Sequence, residues 1–163
     1  MSARIAIESP LGDEMRAMIG ELNDVLLALS PPEHCHHLSV EQMAGADTTV
    51  FTAREGGADG ALLACGALRR HGAGADGIPV GEVKRMYTRP AAQGRGLAGE
   101  ILMRIEELAR TEGIGRLVLE TGHRHPAAWR VYERAGFART GAVLDYPDTP
   151  FSVFYEKLLA AKA

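Results

Sequence analysis

Cysteine is scarce in this chain: Cys35 and Cys65 are the two it has among 163 residues. Their separation matches neither a metal-binding spacing nor a disulfide framework, so the expected setting is a reducing cytoplasm. No run of about 18 apolar residues occurs, which leaves no membrane-spanning helix to expect. The opening MSARIAIESP lacks the apolar core of a signal peptide. Positive charge is not in excess either: 18 Lys and Arg stand against 21 Asp and Glu, a formal net charge of −3. A nucleic-acid-binding domain usually carries a basic face, so no nucleic acid partner is expected. Internal repeats, low-complexity tracts and linkers are missing too. What is present is ordinary for a soluble globule, 46% hydrophobic and 24% charged. Residues 1–163 are therefore expected to form a single domain, long enough to bury roughly 70% of its unfolded surface without staples.

Apolar spacing divides the chain into elements. Arg4–Glu8 alternates, with Ile5 and Ile7 on one face, and reads as a strand. From Leu11, the residues Met15, Met18, Ile19, Leu22, Val25, Leu26 and Leu29 recur at helical spacing until Ser30-Pro31-Pro32. Val40–Ala44 reads as a short helix, with Ser39 or Asp47 able to cap neighbouring turns. Thr48–Arg54 and Ala61–Arg70 form a hairpin around Glu55–Gly60. The glycine-rich HGAGADGIP is an exposed turn before a strand at Gly81–Thr88. Leu97, Ile101, Leu102, Ile105, Leu108 and Ala109 mark a long helix that Gly113 ends. Arg116–Glu120 is a strand and Thr121–His125 a loop; Pro126 opens a helix running to about Arg134. Phe137–Leu144 and Phe151–Lys157 are the last two strands. The order β-α-α-β-β-β-α-β-α-β-β is an α+β layout with a mixed sheet, in which Val83–Glu120 is the parallel crossover.

The stretch Val83–Ala98, VKRMYTRPAAQGRGLA, has the makings of an anion site. A strand runs into a glycine-rich loop with an arginine, and a helix N-terminus follows. Gly94-Arg95-Gly96-Leu97-Ala98-Gly99 fits the dinucleotide pattern G-x-G-x-x-G. Three features argue against that ligand. Arg89–Gln93 separates strand from glycines, whereas a dinucleotide loop turns directly off its strand. Glu82, Lys84 and Arg85 sit inside a strand that a doubly wound sheet would keep apolar. The motif begins past mid-chain, with one further strand–helix step after it.

Val83–Phe137 resembles the GNAT superfamily of acyl-CoA-dependent N-acetyltransferases, in its small bacterial form. Gln93-Gly94-Arg95-Gly96-Leu97-Ala98 fits the loop signature Gln/Arg-x-x-Gly-x-Gly/Ala at every fixed position. Thr88-Arg89-Pro90 closes the preceding strand in the family's manner. His125 through Phe137 fits Asn-x-x-Ala-x-x-x-Tyr-Glu-x-x-Gly-Phe at every fixed position but the first, where His125 replaces asparagine. The resemblance implies a mostly antiparallel mixed sheet of about seven strands, helices on both faces, and a splay between Val83–Thr88 and Leu117–Glu120. It implies acetyl-CoA as cosubstrate and no metal. The pantetheine arm would lie in the splay beside Met86, Tyr87 and Thr88. The pyrophosphate would rest on the loop Gln93, Gly94, Arg95, Gly96, Leu97, Ala98 and Gly99, with Arg95 adding charge or pointing to solvent. His125 would keep one hydrogen bond to the arm.

Acetyl transfer to an amine needs a base, an oxyanion donor and an acid for the leaving thiolate. The resemblance gives the acid role to Tyr132, whose ordinary pKa of about 10 keeps it protonated, and offers Glu120, at its strand end, as base. Glu82 is the second candidate base, acting directly or through water. A backbone N–H of Met86–Thr88 would meet the oxyanion. His34, His36 and His37 around Cys35 match no standard zinc spacing. With Pro31 and Pro32 they read as one wall of an acceptor pocket, opposite Asp145–Thr149 and Tyr146. Lys84, Arg85 and Arg124 are candidates for an acceptor carboxylate or, equally, a solvated face. The expected function is acetyl transfer to a primary amine, a small metabolite, with a non-catalytic acyl-CoA sensor as the alternative. A homodimer stays open.

Overall fold

A seven-stranded sheet runs through the molecule in the order β1-β2-β3-β4-β5-β7-β6, with helices packed on both faces. The structure, a computed structural model, describes residues 2–32 and 37–159. The strands are β1 (Ala3–Ile7), β2 (Thr48–Glu55), β3 (Leu62–Ala73), β4 (Pro79–Thr88), β5 (Arg116–Gly122), β6 (Ala138–Thr140) and β7 (Ser152–Leu158). The helices are α1 (Asp13–Leu29), α2 (Val40–Met43), α3 (Leu97–Thr111) and α4 (Pro126–Arg134). All adjacent pairs are antiparallel except β4 with β5. Fold class and element order are those expected from the sequence.

Helices α1 and α2 cover one face. Met15, Met18, Ile19 and Leu22 of α1 meet Val50, Leu62, Cys65 and Ala67 of the sheet, and each such side chain contributes about 1.5–3 kcal/mol on burial. Ser39 caps α2 in a capping box with Gln42. Helix α3 covers the other face through Leu97, Ile101, Leu102 and Ile105, joined by Tyr132 and Phe137 from α4 and its exit. Over β5 and β7 the first face has no helix among the described residues. Val143, with Tyr146 packed beside it, closes it against Val80, Val118 and Phe154.

Three boundaries differ from expectation. The segment HGAGADGIP is strand at both ends: Gly72 pairs with Val80 and Ala73 with Pro79, so the turn shrinks to Gly74–Ile78. β6 stops at Thr140 instead of Leu144, and the residues after it form the cover just described. β5 runs two residues past Glu120, to Gly122.

The sheet opens between its two parallel strands. β4 pairs with β5 only at Val80, Gly81 and Glu82. Beyond Glu82 it has no strand partner on that side among the described residues. A β-bulge follows at once. Lys84 pairs with Ala67 and Tyr87 with Cys65, so Arg85 and Met86 together oppose Gly66. Arg85 takes φ 56, a left-handed conformation that costs a non-glycine residue about 1–3 kcal/mol. The extra residue puts Val83 and Met86 on the α3 face and Tyr87 on the α1 face.

Candidate functional site

The opening of the sheet leads into a cavity of about 100 Å³. Leu22 and Leu26 of α1, with Ser30 at its C-cap, form one side. Glu82 through Met86 of β4 and Glu120 through Gly122 of β5 form the floor, and His125, Tyr132 and Phe151 close it. Parallel pairing that stops early supplies the space, and the bulge turns the β4 side chains towards it.

Glu120 and Tyr132 share this cavity. Ser152 Oγ donates to Glu120 Oε2 at 2.8 Å, which fixes the carboxylate from the neighbouring strand. Tyr132 is buried, with its ring against Phe137 and Tyr155 at centroid distances of 6.1 and 6.0 Å. Burial raises its pKa, and the negative charge of Glu120 raises it further. The hydroxyl therefore stays protonated at neutral pH.

Glu82 is only 2% exposed. It accepts from His71 Nε2 at 2.8 Å and from the Tyr146 hydroxyl at 2.5 Å, and pairs with Lys84 Nζ at 3.3 Å. Burial pushes its pKa up, but the His71 hydrogen bond, the Lys84 charge and the Tyr146 hydroxyl outweigh it and hold the carboxyl below its ordinary value. A second cavity, about 350 Å³, lies on this cluster, between Gln42, Arg69 and His71 on one side and Leu144–Tyr146 on the other.

The loop before α3 leaves a helix N-terminus without a side-chain cap. A single 3-10 turn at Pro90–Ala92 leads through Gly94 (φ 84) to Gly96 (φ 77), which stands at the N-cap with no side-chain cap. The first N–H groups of α3 are thus not taken by a side chain of the cap residue. Gly99 sits inside the first turn, where a Cβ would meet nothing within 4 Å. Its glycine costs the helix up to about 1 kcal/mol against alanine and leaves room for a ligand's close approach.

The description Acetyltransferase (GNAT) family matches residues 20–137. The chain belongs to this family of acetyltransferases. An IAA acetyltransferase of Azospirillum brasilense is 37% identical over 155 residues, covering 95% of this chain and 97% of that protein. A solved structure from Klebsiella pneumoniae, assigned to the acyl-CoA N-acyltransferases, shares 28% identity at a TM-score of 0.76 and covers 97% of this chain and 98% of its own. The yncA protein of Salmonella typhimurium, solved with its cofactor acetyl-CoA, has the same fold at a TM-score of 0.70 and 17% identity, covering 100% of this chain and 97% of its own. This GNAT protein is accordingly an N-acetyltransferase.

The acetyltransferase brings Glu82, Met86, Glu120, His125 and Tyr132 to one cavity. His125 precedes α4, its imidazole laid across Gly122, where a Cβ would come 2.3 Å from Cδ2. Burial, then the charges of His123 and Arg124, lower its pKa, so the ring is neutral. Met86 packs towards α3. The Tyr87 hydroxyl donates to Glu21 at 3.2 Å on the α1 side, and Thr88 ends β4 opposite Ala64. Gln93, Gly94, Arg95, Gly96, Leu97, Ala98 and Gly99 form the loop and first turn outside the cavity lining. Arg95 holds Glu55 of β2 with two hydrogen bonds, 2.6 and 3.2 Å.

Lys84 and Arg85 line the cavity and Arg124 does not. His37 lines it as well, while His34, Cys35 and His36 lie outside the described residues. Among the described residues no group of three His, Cys, Asp or Glu is arranged to hold a metal ion, and no helix is long and apolar enough to cross a membrane. His71 escaped the sequence reading. Its signal would have been the alternation of Arg69 and His71, hidden because the stretch after Arg70 looked like a turn. Asn23 of α1, which accepts from Arg85, carried no signal beyond being polar within an apolar stripe.

Proposed function

We propose that this chain is a single-domain N-acetyltransferase that moves the acetyl group of acetyl-CoA to the primary amine of a small metabolite, with Glu120 as base and Tyr132 as acid. The observation that carries this reading is Glu120 and Tyr132 lining one cavity where β4 and β5 part. Acetyl-CoA would lay its pantetheine arm along the unpaired side of β4, with Met86, Tyr87 and Thr88 offering backbone groups and His125 facing them. Its pyrophosphate would rest on Gln93, Gly94, Arg95, Gly96, Leu97, Ala98 and Gly99, where the α3 dipole favours an anion.

Glu120 takes a proton from the acceptor's ammonium, and the freed amine attacks the thioester carbon. A backbone N–H of Met86–Thr88 receives the oxyanion. As the C–S bond breaks, Tyr132 protonates the thiolate, and the proton still carried by the acetylated nitrogen returns to the Tyr132 oxygen, leaving a neutral amide and the free thiol. The two groups cooperate: once Glu120 holds a proton its charge is gone, and the part of the Tyr132 pKa rise due to that charge goes with it. Tyr132 thus becomes a stronger acid at the step that needs one. Glu82 is the weaker base, because its carboxylate is held ionised by three partners. It serves instead to position Lys84 and Tyr146.

Thiol release from acetyl-CoA across an amine panel tests this. The expected result is turnover that Glu120→Gln lowers by about 10²-fold or more and that keeps its acetyl-CoA KM. Tight CoA binding with no turnover of any amine overturns it in favour of an acyl-CoA sensor.

A further inference from the structure

Arg85 is out of keeping with its surroundings. It is 7% exposed, lines the cavity and makes no ion pair among the described residues. Its one hydrogen-bond acceptor there is the neutral amide of Asn23, and its Nε is buried without a partner. Neighbouring cations are balanced: Lys84 by Glu82, and Arg89 by Glu21. The one group whose ionisation would favour the Arg85 cation is the Cys65 thiol, and burial pushes that thiol up to about 12, so it carries no charge. A buried cation without an anion is strongly unfavourable, and the same residue also bears the left-handed backbone at φ 56. Both costs fall on the residue that the bulge turns into the cavity.

A guanidinium offers a planar fork of donors that matches a carboxylate. The cavity, about 100 Å³, is small beside the ~300–1,000 Å³ of pockets that hold drug-sized ligands. Leu22, Leu26 and Phe151 give it apolar walls, and Glu120 and Tyr132 face the same space. Building on the acetyl-transfer reading above, we propose that the acceptor is a small amino acid whose carboxylate pairs with Arg85 while its amine reaches Glu120. The ligand supplies the counter-charge that the chain does not.

The test follows thiol release from acetyl-CoA with the common L-amino acids, each beside its carboxamide and its descarboxy amine. The acids that react are expected to exceed their matched amides in kcat/KM by ~10²-fold or more, since a site built for a charged partner rejects the analogue that lacks it. Arg85→Gln should bring that ratio close to one through the acceptor KM, with acetyl-CoA KM unchanged, and Arg85→Lys should retain part of it. Should Arg85→Gln fail to fold, the wild type still decides. Carboxylic acids lacking the amine should inhibit competitively with the acceptor, and their amides should not. Equal turnover of acids and amides, a ratio that survives Arg85→Gln, or turnover confined to descarboxy amines overturns this inference and leaves the acetyl-transfer reading standing. No thiol release with any amine overturns both.

Discussion

Tyr132 and Glu120 illustrate how two ordinary side chains become a matched pair. A tyrosine in water is a poor acid at neutral pH, and burial makes it poorer. In the proposed mechanism its usefulness depends on a neighbour, Glu120, whose charge changes during the reaction. Tyr132→Phe keeps the ring packed against Phe137 and Tyr155 and removes only the hydroxyl. Turnover should fall by about 10²-fold with acetyl-CoA KM unchanged, as steady-state kinetics would show; equal loss in both would mark a packing role. The resemblance had named the two residues together, and the structure brings both to one cavity; their roles belong to the proposed mechanism. The partners of Glu82 were not legible in the sequence. His71, Lys84 and Tyr146 meet it from three segments, and no local pattern encodes that meeting. Val25 likewise fits the apolar period of α1 yet is 41% exposed.

At the scale of elements, the bulge in β4 does what a regular strand could not. It re-aims side chains in the very segment where pairing with β5 ends. Gly66 makes it fit, since a Cβ there would stand 2.3 Å from Met86 Sδ and 2.8 Å from Ile101 Cγ2. Gly66→Ala should therefore lower stability by about 1–3 kcal/mol, read from urea midpoints at constant m, and Met86→Ala in the same chain should recover part of it. Additive losses would mean that the contact is not what Gly66 avoids. At the α3 N-terminus, Gly96→Asn tolerates the left-handed backbone better than most residues and should retain more acetyl-CoA affinity than Gly96→Asp, which adds a negative charge beside the phosphates. Equal loss in calorimetric titration with CoA would refute the anion role. Element order and the parallel crossover could be read from apolar periods and turn residues. The bulge could not, because Arg85 is an unusual residue for positive φ, and neither could the insertion of β7 between β5 and β6.

For the whole molecule, two groups of the site contribute to acid stability, half-buried His125 and buried Glu82. His125 has a folded pKa below its ordinary 6.5. The unfolded chain binds that proton first, so its contribution is complete above about 6.5 and is lost as pH falls towards the folded value. Glu82 is also depressed, from 4.5; its contribution is present above that value and is lost as pH falls through the folded pKa. Stability should decline in two stages below neutrality, and His125→Asn should remove the first. Urea melts at stepped pH check this, and an unchanged slope between pH 7 and 5.5 in the variant would contradict it. The parting of β4 and β5 has a consequence of another kind. The ladder that joins one half of the sheet to the other along that seam has three residue pairs, Val80–Glu82 with Arg116–Val118. A ligand laid in the gap would act as mortar between the halves, adding about 2.7 kcal/mol at a hundred times its Kd. The lifetime of such a protein in a cell would then track the supply of acyl-CoA, which would make a catalyst's abundance a readout of its own cosubstrate.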